Sequence, residues 1–463
     1  MSNFKSFILM NNKIKIGLLC LLLGTTSVSC EKFLDAKSNS SITVPSTIRD
    51  LRAILDHDIE MNNFYPGPLE IAADDFLLTD VGYWSIYQEG QDAYTWNDQG
   101  IQGAWWSIPY KVISNTNIIL EGLERIKEGN LKERQSIEGE ALFLRGWALF
   151  YLAQTYCMPY TYSDAGDGLG MVIPKSSSTV ITEKRASLKE TYTQIIADLT
   201  KAISLLPNQQ EYVTRSSKLA AFAAMARIYL TIGDYKNAEM MVDQVFEIRS
   251  DLLDYATLDR KASLPLNMDN NTEIMYTGGS SSSSFYILNA NVYINPELYK
   301  LYDDGDLRKE IFFEKGKQGY KFKGFQNGEQ TGFYGGLVMD ELYLIKAECL
   351  ARKTQLTEGL SYLNKLVRNR YDKLKFVPLT AGTGKELLDK VLLERRKEMV
   401  CRGQRWLDIR RLNKEGTWNL TLSRSISDGK VTHNFVLPPN DLRYAFLVPQ
   451  KAMIDNKYIQ NPR

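Results

Sequence analysis

The acidic side chains that could do chemistry fall in three clusters: Asp74-Asp75, Asp303-Asp304-Gly305-Asp306 and Glu394 with Glu398. Paired carboxylates are the minimum for glycoside hydrolysis, but neighbours in sequence do not span a sugar ring, and nothing in the pattern raises one acid above another. The 303–306 cluster lacks the alternation of an EF-hand loop and its Glu twelve positions on. It reads as a turn before Arg308. Histidine is almost absent, with only His57 and His433, and neither has a second His at helical spacing. Five cysteines include no CxxC pair, so neither a zinc cluster nor a disulfide framework is supported. No catalytic residue, metal site or cofactor is expected, and the chain reads as a non-enzyme. In the charge-dense stretch Glu394–Glu398 and Arg402–Arg411 around Trp406, acids alternate with bases, which predicts ion pairs locking helices together rather than a basic membrane patch.

Aromatic side chains are the better lead. Tyr65, Tyr83, Trp84, Tyr87, Tyr94, Trp96, Trp105 and Trp106 crowd a short window. Gly82-Tyr83-Trp84 and Tyr94-Thr95-Trp96-Asn97-Asp98 sit among Gly, Asp, Asn and Gln, so they read as loops. An aromatic on a polar loop can stack on a flat ligand face while nearby amides and carboxylates bond hydroxyl groups, which is chemistry suited to sugars. The core reading of Trp96, Tyr83 and Trp84 weighs as much as the site reading. Trp105, Trp106 and Tyr110 begin a helical stripe and are assigned to the core.

The elements that must position these groups are mostly helical. Trp105, Ile108, Val112, Ile119, Leu123 and Ile126 keep helical spacing. Glu138–Tyr156 is apolar on more than one face, which predicts a central buried helix. Tyr192–Leu206 forms a further stripe, stopped at Pro207. Ser217–Ile248 then reads as a helical hairpin turning at Gly233-Asp234, with Phe222, Ala226, Tyr229, Ala238 and Val242 at tetratricopeptide positions. Leu342–Arg370 repeats the offsets with Ala347, Leu350, Gly359, Leu363 and Leu366. The expected fold is mainly α: tetratricopeptide-like hairpins as a scaffold over about 105–250 and 338–412. The loop-rich face contains short strands and includes an insertion at about 251–337. Long insertions on a rigid scaffold are where recognition concentrates.

The leader bounds the compartment. Lys13-Ile14-Lys15, a short apolar run to Leu23 and small residues to Ser29 precede Cys30, which predicts a lipoprotein signal peptide over 1–29 with the lipid on Cys30. The apolar run is too short to span a membrane, and several acyl chains on one Cys give stable anchoring. Formal charge is +1, from 56 basic and 55 acidic residues, so nothing points to nucleic acid. Cys157, Cys349 and Cys401 are read as buried small hydrophobes.

Several separate pieces together resemble the SusD/RagB family of Bacteroidetes outer-membrane lipoproteins. They are Cys30 with Phe33-Leu34-Asp35, and Trp105–Asn117 leading to Leu120-Glu121. Glu140-Ala141 with Phe143-Leu144-Arg145 follows, then Asp306 with Arg308. Late in the chain come Glu394–Glu398 with Gly403–Arg410, Val448-Pro449, Asn456 and Gln460-Asn461-Pro462. Cys401-Arg402 departs from the usual aromatic-Glu before Gly403, at scaffold positions. The resemblance implies a single SusD-like domain over 30–463, anchored in the outer membrane and facing the cell exterior. It implies capture of a glycan without cleavage and delivery to a SusC-like TonB-dependent transporter. The ligand-binding residues this implies are Asp75, Tyr83, Trp84, Trp96 and Asn97, with Tyr286 and Tyr293 from the insertion. An adaptor lipoprotein of an outer-membrane complex and a peptide-importing relative are the alternatives.

Overall fold

The computed structural model describes residues 44–97, 103–164, 166–178, 183–280, 291–330 and 332–463. Cys30, the 1–29 leader and Tyr286 lie outside the described residues. Nine helices form the scaffold of the Thr47–Arg463 unit: α1 Ala104–Arg125, α2 Leu131–Tyr156, α3 Leu188–Leu205, α4 Lys218–Thr231, α5 Tyr235–Ile248, α6 Met339–Arg352, α7 Leu356–Arg368, α8 Gly384–Glu398 and α9 Gln404–Lys414.

Local chemistry sets their ends. Asn130 caps α2 by accepting from Glu133 N, and Ser187 and Glu190 form a capping box at the start of α3. Gly233 takes φ +74° between α4 and α5, and Asp234 then caps α5. From Ile137 onward α2 is buried around almost its whole circumference, as its all-round apolar sequence requires. It packs between α1 and α3, while α4 pairs with α5 and α6 with α7, and α5 packs on α6. The two predicted hairpins are therefore present, joined through the contact of α5 with α6 rather than standing as separate units. None of the described helices is long and apolar enough to cross a membrane.

The other side is built from short pieces. Five two-stranded antiparallel sheets occur among the described residues. In one of them Phe76–Leu78 pairs with Val292–Ile294, Leu77 standing opposite Tyr293. This ladder ties the N-terminal aromatic window to the insertion across more than two hundred residues of chain. In another, Leu422–Ser427 pairs with Thr432–Leu437 as a hairpin turning at Asp428-Gly429. Asp-Gly at that position supplies the positive φ the turn needs.

Charged residues fill the junction between these two sides. Arg308 is fully buried and bonds Asp306 (2.8 Å), Glu394 (2.6 Å) and Glu398 (2.8 Å). Glu398 also accepts from Arg370, which pairs in turn with Glu273. Asp408 bridges Arg395 and Arg411, Glu348 holds Arg411, and Asp340 holds Arg402. Each carboxylate here has a guanidinium partner, which is what allows it to be buried. The expected helix-locking role of the Glu394–Arg411 stretch is what the geometry displays. The three cysteines that follow Cys30 are free and buried.

Candidate functional site

The aromatic window divides sharply on folding. Asp80–Ser85 and Gln88–Thr95 are short helices, not loops. Thr79 caps the first by accepting from Gly82 N, and the second ends at Trp96 in a left-handed conformation with φ +54°. Each short helix has an inner and an outer face, and the aromatics of the window divide between them: Tyr83, Tyr94 and Trp96 are buried, Trp84 and Tyr87 exposed.

Trp96 goes inward. It is 1% exposed, its Nε1 donates to the Ala72 carbonyl (3.0 Å), and the Arg424 guanidinium lies 5.0 Å from its ring. No face is left for a ligand. Tyr83 is also buried and packs against Tyr94 and Trp84. Tyr293 is buried beneath Gly316 and Gly319, on the strand opposite Leu77. Asp75 is buried as well, with Arg396 3.6 Å away. Burial and the neighbouring Asp74 push its carboxyl up to about 6, against the pull of Arg396. These four belong to the framework beneath the surface rather than to a surface that stacks on a ligand. Their residue types were legible as aromatics or acids near polar sequence, but not the side of the helix on which each would fall.

Trp84 goes outward. It is 50% exposed and anchored on one edge, where Nε1 donates to the Ser427 carbonyl (2.8 Å) and Tyr83 packs edge-on at 5.0 Å. It forms the wall of a shallow cleft of about 560 Å³ lined by Asp80, Val81, Ser85, Ser427, Asp428 and Gly429. Asp80 Oδ1 accepts from Ser427 N (2.9 Å), so helix and hairpin are fixed to one another. Asn97 is exposed, its side-chain amide donating to Asp92 Oδ1 (2.8 Å). Val81 and Tyr87 add exposed apolar surface to the same short helices and their junction. The contribution of the 422–437 hairpin has no local sequence signal beyond its Asp-Gly turn, because it comes from the other end of the chain.

A second, larger cleft of about 750 Å³ was not foreseen. Its polar lining is Asp58, Asn62, Asn63, Thr214, Ser280, Asn327 and Glu329, with exposed Ile59 and Met268 at its edge. Asn62 donates to the Thr214 carbonyl, and bridges join Phe64 to Ser280 and Gly279 to Tyr334. The lining offers amides, hydroxyls and backbone groups at one opening. Its parts come from four distant stretches of sequence, so composition could not reveal it.

Among the described residues no group of His, Cys, Asp and Glu is placed to hold a metal. The acids that sequence offered as catalytic candidates are engaged elsewhere: Asp74 with Arg396 and Arg405, Glu394 and Glu398 with Arg308. Burial would raise Asp74, but the two guanidinium groups outweigh it and hold its carboxyl well below the usual range.

Residues 32–230 match the family model described as starch-binding associating with outer membrane, and residues 339–454 match the SusD family model. A SusD-like protein P2 of Formosa agariphila is 25% identical over 377 residues, covering 68% of this chain and 72% of that protein. A SusD superfamily protein of Bacteroides thetaiotaomicron superposes with a TM-score of 0.74 at 23% identity, over 90% of this chain and 100% of the other. A SusD-like carbohydrate-binding protein of Bacteroides vulgatus superposes with a TM-score of 0.70 at 20% identity, over 89% and 97%. Matches at both ends of one continuous helical scaffold place the chain in the SusD/RagB family.

Proposed function

We propose that this protein captures an oligo- or polysaccharide on its loop-rich side and passes it, uncleaved, to a SusC-like TonB-dependent transporter. The observation that carries the reading is Trp84: a half-exposed indole, fixed at one edge, beside hydroxyl and carboxylate groups in an open cleft. A pre-positioned aromatic face loses little freedom on binding. The family's association with starch and the outer membrane supports the same reading. Trp84 and Asn97 are the contact residues of this proposal; Tyr83 supports Trp84 edge-on, and buried Trp96, Asp75 and Tyr293 act through the framework. Tyr286, outside the described residues, keeps its place as a candidate. The engagement of the acids in ion pairs supports a non-catalytic role. A lipid on Cys30 would tether the domain at the outer face of the outer membrane beside its transporter.

The test is migration of the purified protein through native gels containing candidate glycans. Retardation without release of reducing ends is expected, and it should weaken at least tenfold in Trp84→Ala. Release of reducing ends would overturn the non-catalytic reading. Affinity capture of an outer-membrane barrel, with no glycan binding at all, would favour the adaptor role.

A further inference from the structure

We propose that the captured glycan is uncharged, and that the protein turns away uronate- and sulfate-bearing chains; this deepens the capture reading above and rests on it. The argument is the sign of the charges that line the clefts. Among the described residues, the only charged ones lining the 750 Å³ cleft are Asp58 and Glu329, both exposed, and neither is in an ion pair there. Around the Trp84 cleft they are Asp80 and Asp428. Among the described residues no Lys or Arg lines either opening. His433 stands 3.4 Å from Asp428, on its own hairpin.

Two smaller clefts give the contrast. One is lined by Asp74, Arg396 and Arg405, the other by Arg134, Arg145 and Lys175 together with acids. Their guanidinium groups are already bonded: Arg396 and Arg405 to Asp74, Arg145 to Asp198, and Arg134 to backbone carbonyls. Recognition of a carboxylate or sulfate relies on free cationic donors, best a bidentate Arg. Arg215, which follows the larger cleft's Thr214 in sequence, is held bidentately by Asp56. What the two open clefts do offer is amides, hydroxyls and carbonyls, which satisfy sugar hydroxyls, flanked by carboxylates that repel an anion. Two like charges within about 6 Å of an entering anionic group at a solvated edge weaken its binding by about tenfold at low salt. Salt screens that penalty.

Isothermal titration of the full mature chain against two sets of polymers tests this. Starch, laminarin and xylan form the neutral set; alginate, polygalacturonate and dextran sulfate form the anionic set. Binding to at least one neutral polymer, and at least tenfold weaker binding to every anionic one, is expected. Preference for an anionic polymer overturns the inference and leaves the capture reading standing. Binding to none of the six overturns the capture reading and the inference with it. In the triple variant Asp58→Lys, Glu329→Lys, Asp428→Asn, the neutral-to-anionic affinity ratio should fall about tenfold, with the change lost at about 0.5 M salt. Asn at 428 keeps an oxygen for the turn amides that Asp428 now accepts from, and positions 58 and 329 are exposed, so the fold is retained. An unchanged ratio in the folded variant overturns the assignment of selectivity to these clefts.

Discussion

Two regions of this molecule invert what their composition suggests. The segment richest in charge, Glu394–Arg411 with its partners, is among the most deeply buried parts of the protein. An aromatic-rich segment, Val81–Trp96, is where apolar side chains reach solvent: Val81, Trp84 and Tyr87 are all at least half exposed. The difference is one of partners. A buried carboxylate is tolerable when a guanidinium meets it in fixed geometry, and the charged segment supplies both signs at helical spacing. An aromatic ring needs no opposite charge to be buried, and Trp96 satisfies its one N–H with the Ala72 carbonyl, so its position is decided by which side of a short helix it occupies. Charge patterning therefore announced its own structural role, while aromatic density announced a region and left each residue's side undecided.

The comparison breaks first if the buried charges are dispensable. Arg308→Met leaves Asp306, Glu394 and Glu398 around a neutral side chain in a buried site. Removing one member of a buried network costs about 3–5 kcal/mol. Thermal unfolding should fall by many degrees, or the variant should fail to accumulate; a shift within a degree or two of the parent would show that the network is not the clamp described here. Trp96→Ala comes next. It deletes a fully buried indole, its hydrogen bond to Ala72 and its contact with Arg424, and a cost of about 3–5 kcal/mol is expected. Glycan binding in that variant should fall only as far as the fold does. Loss of binding at full stability would move Trp96 into the site.

The pH profile separates the two kinds of buried acid. Burial raises Asp75 to about 6 and Glu273 to about 7, so between pH 4 and 7 the folded protein holds protons that the unfolded chain has released. Stability from these groups is complete below about pH 4 and is lost as pH rises through 6 and 7. Burial would also raise Glu348, but Arg411 and its hydrogen bonds prevail and hold it at about 2. Its contribution is complete above about pH 4.5 and is lost as pH falls toward 2. The unfolding temperature should therefore peak near pH 4–5 and decline on both sides. Asp75→Asn removes one titrating group from the alkaline side, so the decline between pH 4 and 6 should become shallower. An unaltered slope there would remove Asp75 as a cause.

The scaffold was legible because a helix writes its packing face into a repeating pattern. The stripe from Trp105 to Ile126, the all-round apolar Glu138–Tyr156 and the Gly233-Asp234 turn each reappear where their spacing placed them. The site was legible only in outline. Short helices such as Asp80–Ser85 contain too few residues to show a period, so their polar composition read as loop. The partners of Trp84 come from Ser427 and Asp428, and those of Asn62 from Thr214 and Thr277. Such contacts are created by topology, and single-sequence patterning has no term for them.

The smallest structural effect, and the one that sharpens the comparison most, belongs to Trp84→Ala. Half of the side chain is already in water, and its one hydrogen bond is to a backbone carbonyl on an exposed hairpin. Stability should change by no more than about 1 kcal/mol, the range of surface substitutions that lose a single contact. Binding, by contrast, should drop at least tenfold, because stacking on that face has no substitute among the small side chains left in the cleft. The pair Trp96→Ala and Trp84→Ala thus separates stability from capture within a single thirteen-residue stretch. If both variants lost stability alike and neither lost binding selectively, the outward indole would be part of the framework too. The amide-lined cleft around Asn62 and Asn327 would then be left as the place where the glycan is held.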